Sequence, residues 1–143
     1  MPTYKYIIIV GYNRLGLLLA SHLNSLGSNI VIIDENDPSC VPAASEFGGF
    51  KISGNAAQPD VLRRAKIDKA DCLLAVTHQD NMNLMVAQVA RTIFNVPRVI
   101  ARVVDPKREA IYRQFDIEII NPTKLCADAF LCALQEPVRI ERL

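Results

Sequence analysis

The stretch from Tyr6 to Asp34 constrains the fold of this chain more than any other part of the sequence. It starts with Ile7–Val10, an unbroken β-branched run that is too short for a helix and has no polar alternation, as expected of a parallel strand covered on both faces. A glycine turn follows, then leucines at helical spacing as far as Gly27, and then a second apolar strand that ends at Asp34. This order predicts a strand–helix–strand unit with an acidic residue at the tip of its second strand.

The turn in this unit carries the spacing of a dinucleotide-binding fingerprint. Gly11, Asn13 and Gly16 occupy its three glycine positions, and Asp34 follows 23 residues after the first. In such a unit a pyrophosphate lies against free N–H groups at the positive end of the helix, and the carboxylate accepts hydrogen bonds from ribose hydroxyls. Asn13 departs from the pattern, because its side chain occupies space where phosphate would approach the backbone. The turn predicts a nucleotide site; the alternative is a unit that needs its glycines only to turn.

The rest of the chain alternates short apolar strands with helical segments. Asp105 and Asn121 each stand directly before a proline, which is a helix-start signal, and Asp80 or Asn81 is a candidate N-cap for the helix before them. The further predicted strands are 50–53, 72–77, 99–103 and 117–120, and the further predicted helices are 39–47, 60–65, 81–94, 107–114 and 123–134.

Six strands that alternate with helices predict an α/β fold: a Rossmann-like, doubly wound, six-stranded parallel sheet with the strand order 3-2-1-4-5-6 and helices on both faces. In such a sheet, ligands bind outside the carboxyl ends of the strands where the order reverses, between strands 1 and 4. The final helix, 123–134, packs either on this sheet or across a dimer. We expect one domain, 1–134, followed by a tail or linker, 135–143.

The candidate cofactor-binding residues follow the predicted strands at this edge. Asp34 with Glu35 favours a free 2′-hydroxyl, which indicates NAD(H) or an adenine nucleotide rather than NADP; the alternative is that Asp34 only caps its loop. Arg14 either clamps a diphosphate or is simply exposed at a helix start. Gly54-Asn55-Ala56 either meets an adenine edge or forms a plain turn, and the segment from Thr77 to Asp80 follows the fourth strand at the same edge. The full set is Gly11, Tyr12, Asn13, Arg14, Leu15, Gly16, Asp34, Glu35, Asn55, Ala56, Thr77, His78 and, more remotely, Arg102.

The composition argues against several classes of function. Sixteen basic and fifteen acidic residues leave a formal net charge of +1, and no basic stripe indicates nucleic acid as a partner. No apolar stretch approaches the roughly 18 residues of a membrane span, so we expect no transmembrane segment. The short polar start, Met1–Lys5, is not typical of a signal peptide.

Cysteine and histidine spacing predicts neither a metal site nor a catalytic one. The four cysteines are Cys40, Cys72, Cys126 and Cys132. They form no Cys-x-x-Cys pair and are predicted to be buried free thiols in a reducing cytoplasm, and two isolated histidines cannot complete a zinc site. His22 lies at an apolar position of the first helix and is predicted to be a packed core residue. His78 is predicted to be a loop residue, because no nucleophile or orienting group accompanies it.

Several separated motifs point beyond the fold to a family. They are GYNRLG with its Arg14, VIID, SGNAAQPDVLRRAKIDKADCLLAVT, the polar segment His78-Gln79-Asp80 before Asn83-Leu84, VIARV and INPTKLCADAF. In this order they resemble the RCK domain (regulator of potassium conductance), also called the Trk-type nucleotide-binding domain. The resemblance runs from Ile7 to about Leu134.

The resemblance implies a cytosolic gating part of a potassium channel or of a Trk/Ktr-type potassium uptake system, at the inner face of the membrane, and not an enzyme. It implies binding of NAD(H), ATP, ADP or AMP, assembly into a dimer or a higher ring, and a membrane potassium channel or transporter subunit as partner. By position, Gly11–Gly16 would face the phosphates and Asp34 would face the ribose. Asn55–Ala56 and Thr77–His78 would lie on the adenosine side, and Arg102 would lie near the phosphate edge.

The chain also departs from that family's pattern. Asn13 replaces a glycine, which puts tight pyrophosphate contact in question. Thr123 stands where some relatives place a glutamate that helps to bind a divalent cation, so no metal site is predicted. The family's second, C-terminal lobe is absent from the chain, which fits either a fragment or a one-lobe form.

Two other classes of function compete with this interpretation. One is an NAD-dependent oxidoreductase domain, against which stand the lack of a substrate domain and of a Tyr-x-x-x-Lys pair. The other is an inert interaction module, for which Asp34→Ala would change neither nucleotide affinity nor assembly.

Overall fold

The computed structural model describes residues 3–35 and 48–137. The strands are β1 (Tyr6–Val10), β2 (Asn29–Asp34), β3 (Phe50–Ser53), β4 (Cys72–Ala75), β5 (Arg98–Arg102) and β6 (Glu118–Ile120). The helices are α1 (Arg14–Ser25), α2 (Pro59–Arg64), α3 (Asp80–Thr92), α4 (Pro106–Arg113) and α5 (Pro122–Gln135), with a 3₁₀ turn at Ile67–Lys69 that was not predicted. The predicted helix 39–47 and Cys40 lie outside the described residues.

The strands form one parallel sheet in the order β3-β2-β1-β4-β5-β6, which confirms the predicted topology. Val10 at the end of β1 pairs with Ile33 on one side and with Ala75 on the other, and Asp34 pairs with Ser53. The carboxyl ends of β1 to β4 therefore meet at one edge. The order reverses between β1 and β4, and that is where a crevice opens.

Both faces of the sheet are covered, which explains why the interior of β1 contains no polar residue. Ile8 and Val10 belong to the larger core, which includes Leu62 of α2 and Val86 of α3. Ile7 and Ile9 point to the opposite face, where they pack in a smaller core that includes Ala20 of α1. The alternation of side chains along a strand thus sends neighbouring isoleucines into two different cores.

Tertiary hydrogen bonds move several predicted boundaries. β4 ends at Ala75 rather than 77, because the Thr77 N–H turns to the side chain of Asn83. The prediction that Asp80 or Asn81 caps α3 is wrong: the N-cap is Gln79, and no side-chain hydrogen bond caps this end. The Asp80 carboxylate instead accepts the N–H groups of Val104, at 3.0 Å, and Asp105, at 2.9 Å.

α5 does not pack on its own sheet, so that alternative is wrong. None of its residues is buried against the described part of the chain, although apolar side chains make up much of the helix. Leu125 is 59% exposed, Phe130 68% and Leu134 79%. Within the described residues, no helix combines the length and the hydropathy that crossing a membrane requires.

Two predictions about buried side chains also change. His22 is exposed, not packed in the core, because α1 buries its small residues Gly16 and Ala20 against the sheet. Of the cysteines, Cys72 is buried as predicted, and burial raises the pKa of its thiol to about 11. The prediction is wrong for Cys126 and Cys132, which are exposed on α5.

Candidate nucleotide-binding site

A cleft of about 350 Å³ opens at the point where the strand order reverses. It lies at the carboxyl ends of β1, β2 and β4, between the glycine turn and the loop that leads into α3. Its lining residues are Val10, Tyr12, Asn13, Ile33, Asp34, Glu35, Gly54, Ala56, Thr77, His78, Gln79 and Met82.

Two glycines of the turn are required by the backbone itself. Gly11 has φ +129°, and a Cβ at this position would lie 3.0 Å from the carbonyl carbon of Val76. A Cβ on Gly16 would lie only 2.0 Å from the Gly11 oxygen. Gly11 therefore allows the turn, and Gly16 allows α1 to begin directly against it.

Asn13 holds the turn by its side chain rather than by an unusual backbone angle. It is the N-cap of α1, with φ −139°, an extended conformation that does not require glycine. Its Oδ1 accepts the Gly16 N–H at 2.9 Å, and its Nδ2 donates to the Val76 oxygen at 2.9 Å. The side chain thus caps the helix and ties the turn to the end of β4 across the crevice.

Asp34 lies at the tip of β2 and contacts the same turn. Its carboxylate accepts the Tyr12 N–H at 2.7 Å, so it holds the turn in addition to lining the cleft. Tyr12 is buried, and its hydroxyl accepts a 2.6 Å hydrogen bond from the Lys51 ammonium, which also lies 4.5 Å from the centre of the ring. The lysine beside this end of the cleft is therefore bound to an aromatic side chain.

A buried asparagine fixes the loop on the other side of the cleft. Asn83 is fully buried, and its Oδ1 accepts both the N–H of Thr77, at 2.9 Å, and its hydroxyl, at 2.6 Å. Its Nδ2 donates to the oxygens of Thr77 and Arg102, at 3.0 and 2.8 Å. All four hydrogen-bonding capacities of the amide are used, so this side chain sets the backbone on which His78 and Gln79 lie.

Asn55 and Arg102 use their polar groups within the protein. The Asn55 Oδ1 accepts the Ala57 N–H at 2.8 Å, a local turn that places the buried Ala56 against the cleft. Arg102 donates from Nη1 to the Thr77 oxygen at 3.2 Å. Both residues therefore support the walls of the cleft rather than line it.

The structure brings about half of the predicted site residues into the cleft wall. The predicted residues that line it are Tyr12, Asn13, Asp34, Glu35, Ala56, Thr77 and His78. Those that do not are Gly11, Arg14, Leu15, Gly16, Asn55 and Arg102. Arg14 and Leu15 start α1, and their N–H groups have no acceptor among the described residues, so they are available to an anion.

Sequence reasoning did not assign Val10, Ile33 or Met82 to the site, nor did it assign the role of Asn83. Val10 ends β1, Ile33 lies one residue before the end of β2, and Met82 lies in the first turn of α3. A signal for Asn83 was present, since it shares a helix face with Val86, Ala87 and Ala90, all buried. An amide among core residues indicates a side chain with several internal partners.

The polar groups of the lining and of the neighbouring helix start are hydrogen-bond donors and acceptors. His78 is exposed, and among the described residues no carboxylate or nucleophile is paired with its imidazole. Nor does the described part of the chain contain three His, Cys, Asp or Glu side chains grouped to hold one metal ion. Hydrogen-bond donors at the start of α1 and acceptors at Asp34 suit a ligand with phosphate and hydroxyl groups.

Comparison with known proteins assigns this arrangement to a family. Residues 7–122 match the family model of the TrkA-N domain. The chain belongs to the TrkA-N family. This TrkA-N chain is 36% identical over 126 residues to the Trk system potassium uptake protein TrkA of Streptomyces coelicolor, a match that covers 88% of this chain and 56% of that protein. It therefore spans just over half the length of that relative.

Solved structures share the TrkA-N fold. The TrkA-N domain of the inner membrane protein ybaL from Escherichia coli superposes with a TM-score of 0.80 at 21% identity, over 94% of this chain and 99% of that one. GsuK bound to ADP superposes with a TM-score of 0.76 at 21% identity, over 88% of this chain and 32% of that one. The GsuK channel bound to NAD superposes with a TM-score of 0.72 at 19% identity, over 87% of this chain and 23% of that one.

Proposed function

We propose that this TrkA-N chain is a nucleotide-binding regulatory domain of a potassium-transport system. The observation that carries the proposal is the cleft at the strand reversal, which Asp34 and Asn13 line, together with the free N–H groups of Arg14 and Leu15 that follow Asn13 at the start of α1. Membership in the TrkA-N family and the TrkA relative named for potassium uptake support the transport role.

The proposed ligand is NAD(H) or an adenine nucleotide, namely ATP, ADP or AMP. GsuK, which shares the fold, has been solved bound to ADP and bound to NAD. Among the described residues, Asp34 and Glu35 line this cleft and no lysine or arginine does, which favours a free ribose 2′-hydroxyl over a 2′-phosphate. Lys51 lies close by, but its ammonium contacts Tyr12.

In this proposal each wall of the cleft contacts a different part of the ligand. The N–H groups of Arg14 and Leu15 would bind phosphate, with the Arg14 guanidinium beside them. Asp34 would accept from the ribose. The adenosine side would lie against Ala56 and the Thr77–His78 loop, while Gly11, Gly16, Asn55 and Arg102 would shape the site without touching its centre.

We infer that the domain regulates and does not catalyse. Within the described residues, the cleft lining offers no nucleophile, base and orienting group in reach of one another, and Asn13, Asp34 and Thr77 use their hydrogen bonds to hold the backbone. Bound ligand would instead favour one position of the Thr77–Gln79 loop, and it can do so only through a difference in affinity between two states.

The proposed route from the cleft to the rest of the domain is short. Asn83 joins the Thr77 loop to the end of β5, and the neighbouring Asp80 carboxylate binds the first residues of the loop before α4. A shift of the Thr77 loop would therefore reach α4. The proposed partner is a membrane potassium channel or transporter subunit, with this domain at the cytoplasmic face.

We further propose that the domain forms a homodimer through α5. This helix leaves Leu125, Phe130, Leu131 and Leu134 at least 58% exposed, and its charged residues Lys124 and Asp128 balance each other. An apolar helix of this length is only marginally stable without a partner in water. A second copy presents the same neutral, apolar surface, so pairing the two helices buries the apolar side chains of both.

The test of the proposed site is a thermal-shift titration of the purified chain with NAD, NADH, ATP, ADP and AMP. A ligand that binds only the folded state stabilises it by about 2.7 kcal/mol at roughly 100 times its Kd. We expect at least one of them to raise the melting temperature. Asp34→Ala should weaken the binding of that nucleotide by roughly tenfold or more, because a carboxylate–hydroxyl hydrogen bond is charge-assisted.

The matched control is Asp68→Ala, which removes an exposed carboxylate from the 3₁₀ turn before β4, at the opposite edge of the sheet. Its ligand-induced shift should equal that of the unaltered chain. The ligand-induced shift is compared, not the melting temperature itself, because Asp34 also binds the Tyr12 N–H. No shift with any of the five nucleotides, or equal effects of the two substitutions, would refute the proposed site.

A further inference from the structure

We propose that Asn13 is a specificity-determining residue that makes the cleft bind a mononucleotide more tightly than a dinucleotide. The inference rests on the proposed function, since it concerns how the same cleft chooses among nucleotides. It starts from the position of the Asn13 side chain, which bridges the α1 amides and β4 at the crevice.

The backbone of the turn demands glycine at two positions only. Gly11 and Gly16 cannot carry a side chain without meeting backbone atoms, at 3.0 and 2.0 Å. Position 13 has no such demand, because its φ of −139° suits any residue. A glycine at position 13 would therefore be needed only to let a ligand approach the backbone closely, and this chain has asparagine there instead.

The Asn13 side chain occupies the centre of the strand reversal. Its Oδ1 uses the Gly16 N–H, which a phosphate could otherwise approach, and its Nδ2 reaches the Val76 oxygen on the other side of the crevice. A dinucleotide crosses this point with its pyrophosphate. The asparagine amide thus lies across the path that a bound pyrophosphate would take between the start of α1 and the end of β4.

The charges around the cleft favour a ligand with few negative groups. Two carboxylates, Asp34 and Glu35, line the cleft, and no lysine or arginine does so in the part of the chain that the structure describes. Arg102 lies behind the wall, where it donates to the Thr77 oxygen. The start of α1, the exposed Arg14 and the Lys51 ammonium beside Tyr12 remain to compensate an anion. That set suits one phosphate group better than the several of a triphosphate or the bridged pair of a dinucleotide.

The test is isothermal titration calorimetry of the unaltered chain, Asn13→Gly and Asn13→Ala with AMP and with NAD. We expect the unaltered chain to bind AMP more tightly than NAD. In Asn13→Gly the ratio of the two dissociation constants should shift towards NAD by roughly tenfold or more, the value of one hydrogen bond to a charged group. Asn13→Ala, which keeps a Cβ in the path, should shift the ratio less.

The matched control is Asn121→Gly, which makes the same change at another helix start. Asn121 is the N-cap of α5, and its side chain accepts the Lys124 N–H. This substitution should leave the ratio unchanged. Because each ratio is taken within one variant, a loss of stability common to both ligands cancels.

The outcomes separate this inference from the proposed function. If the unaltered chain binds NAD at least as tightly as AMP, or if Asn13→Gly leaves the ratio unchanged, the inference is wrong while the nucleotide site stands. If the unaltered chain and Asn13→Gly bind neither AMP nor NAD, the inference is wrong, and the proposed nucleotide site fails with it if NADH, ATP and ADP also give no thermal shift.

Discussion

Among single residues, the site depends on Gly11 and Gly16, because the backbone leaves no room for a β-carbon at either position. A β-carbon on Gly11 would sit at a positive φ beside Val76, and one on Gly16 would lie against the Gly11 oxygen. Each Cβ is excluded for a different reason: backbone angle with a close neighbour at Gly11, close approach alone at Gly16. Sequence spacing identified both positions, because the fingerprint reflects this same packing.

Gly16 allows the packing requirement to be tested directly. Glycine to alanine in a helix normally stabilises by up to about 1 kcal/mol, so any loss at this position must come from the contact. We expect Gly16→Ala to lower the free energy of unfolding by about 3 kcal/mol, measured by urea denaturation.

Gly27→Ala is the comparison for this test. Gly27 has φ +97°, but a β-carbon added there would have no atom within 4 Å, so only backbone strain opposes an alanine. We expect a cost of about 1–2 kcal/mol. A Gly16→Ala protein as stable as the unaltered chain would show that the turn can move away from α1.

Asn83 is the other residue on which the site depends, through hydrogen bonds rather than space. It joins the Thr77 loop to β5 with four hydrogen bonds, all of them from a fully buried side chain. Its partners lie 6 and 19 residues away along the chain. The helix-face pattern indicates a buried amide at this position, but only the folded structure brings its partners together, so no local pattern identifies which groups it binds.

At the scale of elements, α5 differs from the other described helices. α1 to α4 each bury residues against the sheet, whereas α5 buries none. The sequence predicted a helix there from the Asn121-Pro122 start, and the structure confirms it from Pro122 to Gln135. What the pattern left open was the surface that covers its apolar side chains, because a single chain carries no information on a partner's position.

The homodimer proposal predicts the effect of charge on this helix. Replacing Phe130 and Leu134 together by glutamate should weaken self-association by roughly a hundredfold or more, since burying each such side chain is worth about 1.5–3 kcal/mol. Size-exclusion chromatography with light scattering measures the change. Thr123→Glu adds one such charge to the first turn of α5, outside the apolar side chains, and should leave the dimer intact.

Two results would contradict the dimer through α5. One is a monomeric unaltered chain at every concentration tested. The other is a dimer that survives both glutamates, which would place the interface on another surface.

At the scale of the whole molecule, one buried hydroxyl links stability to alkaline pH. Tyr112 is fully buried in the larger core, and its hydroxyl donates to the Asp80 backbone oxygen at 2.8 Å. Burial, with the Asp80 charge as a second cause, raises the pKa of Tyr112 to about 12. The unfolded chain has a tyrosine pKa of about 10, so this group releases its proton in the unfolded state first.

The sign of the effect follows from that order. The contribution of Tyr112 is fully present below about pH 10 and is lost as the pH rises through the folded-state value. Urea unfolding at about pH 8 and near pH 11.5 should show that the unaltered chain loses on the order of 2 kcal/mol more than Tyr112→Phe does. If both proteins lose the same free energy of unfolding, the pKa of Tyr112 does not differ between the folded and unfolded states, which would contradict the prediction.

The class of fold, the strand order and the edge of the sheet on which the cleft opens could all be predicted from the amino-acid sequence. These follow from chain-local information: apolar runs of strand length, helix-start and helix-stop residues, and the right-handed connection of parallel strands. The glycine turn and Asp34 belong with them, because their spacing lies within one strand–helix–strand unit.

The hydrogen-bond partners of the polar side chains could not be predicted in this way and became clear from the folded structure. Asn13 spans to Val76, Asp80 binds the loop before α4, and His22 faces solvent because the small residues of α1 face the sheet. Hydrogen bonds of this kind join residues far apart in sequence, and a side chain takes whichever partner the packed backbone presents. Whether a helix is covered, as α3 is and α5 is not among the described residues, depends likewise on the surface it meets.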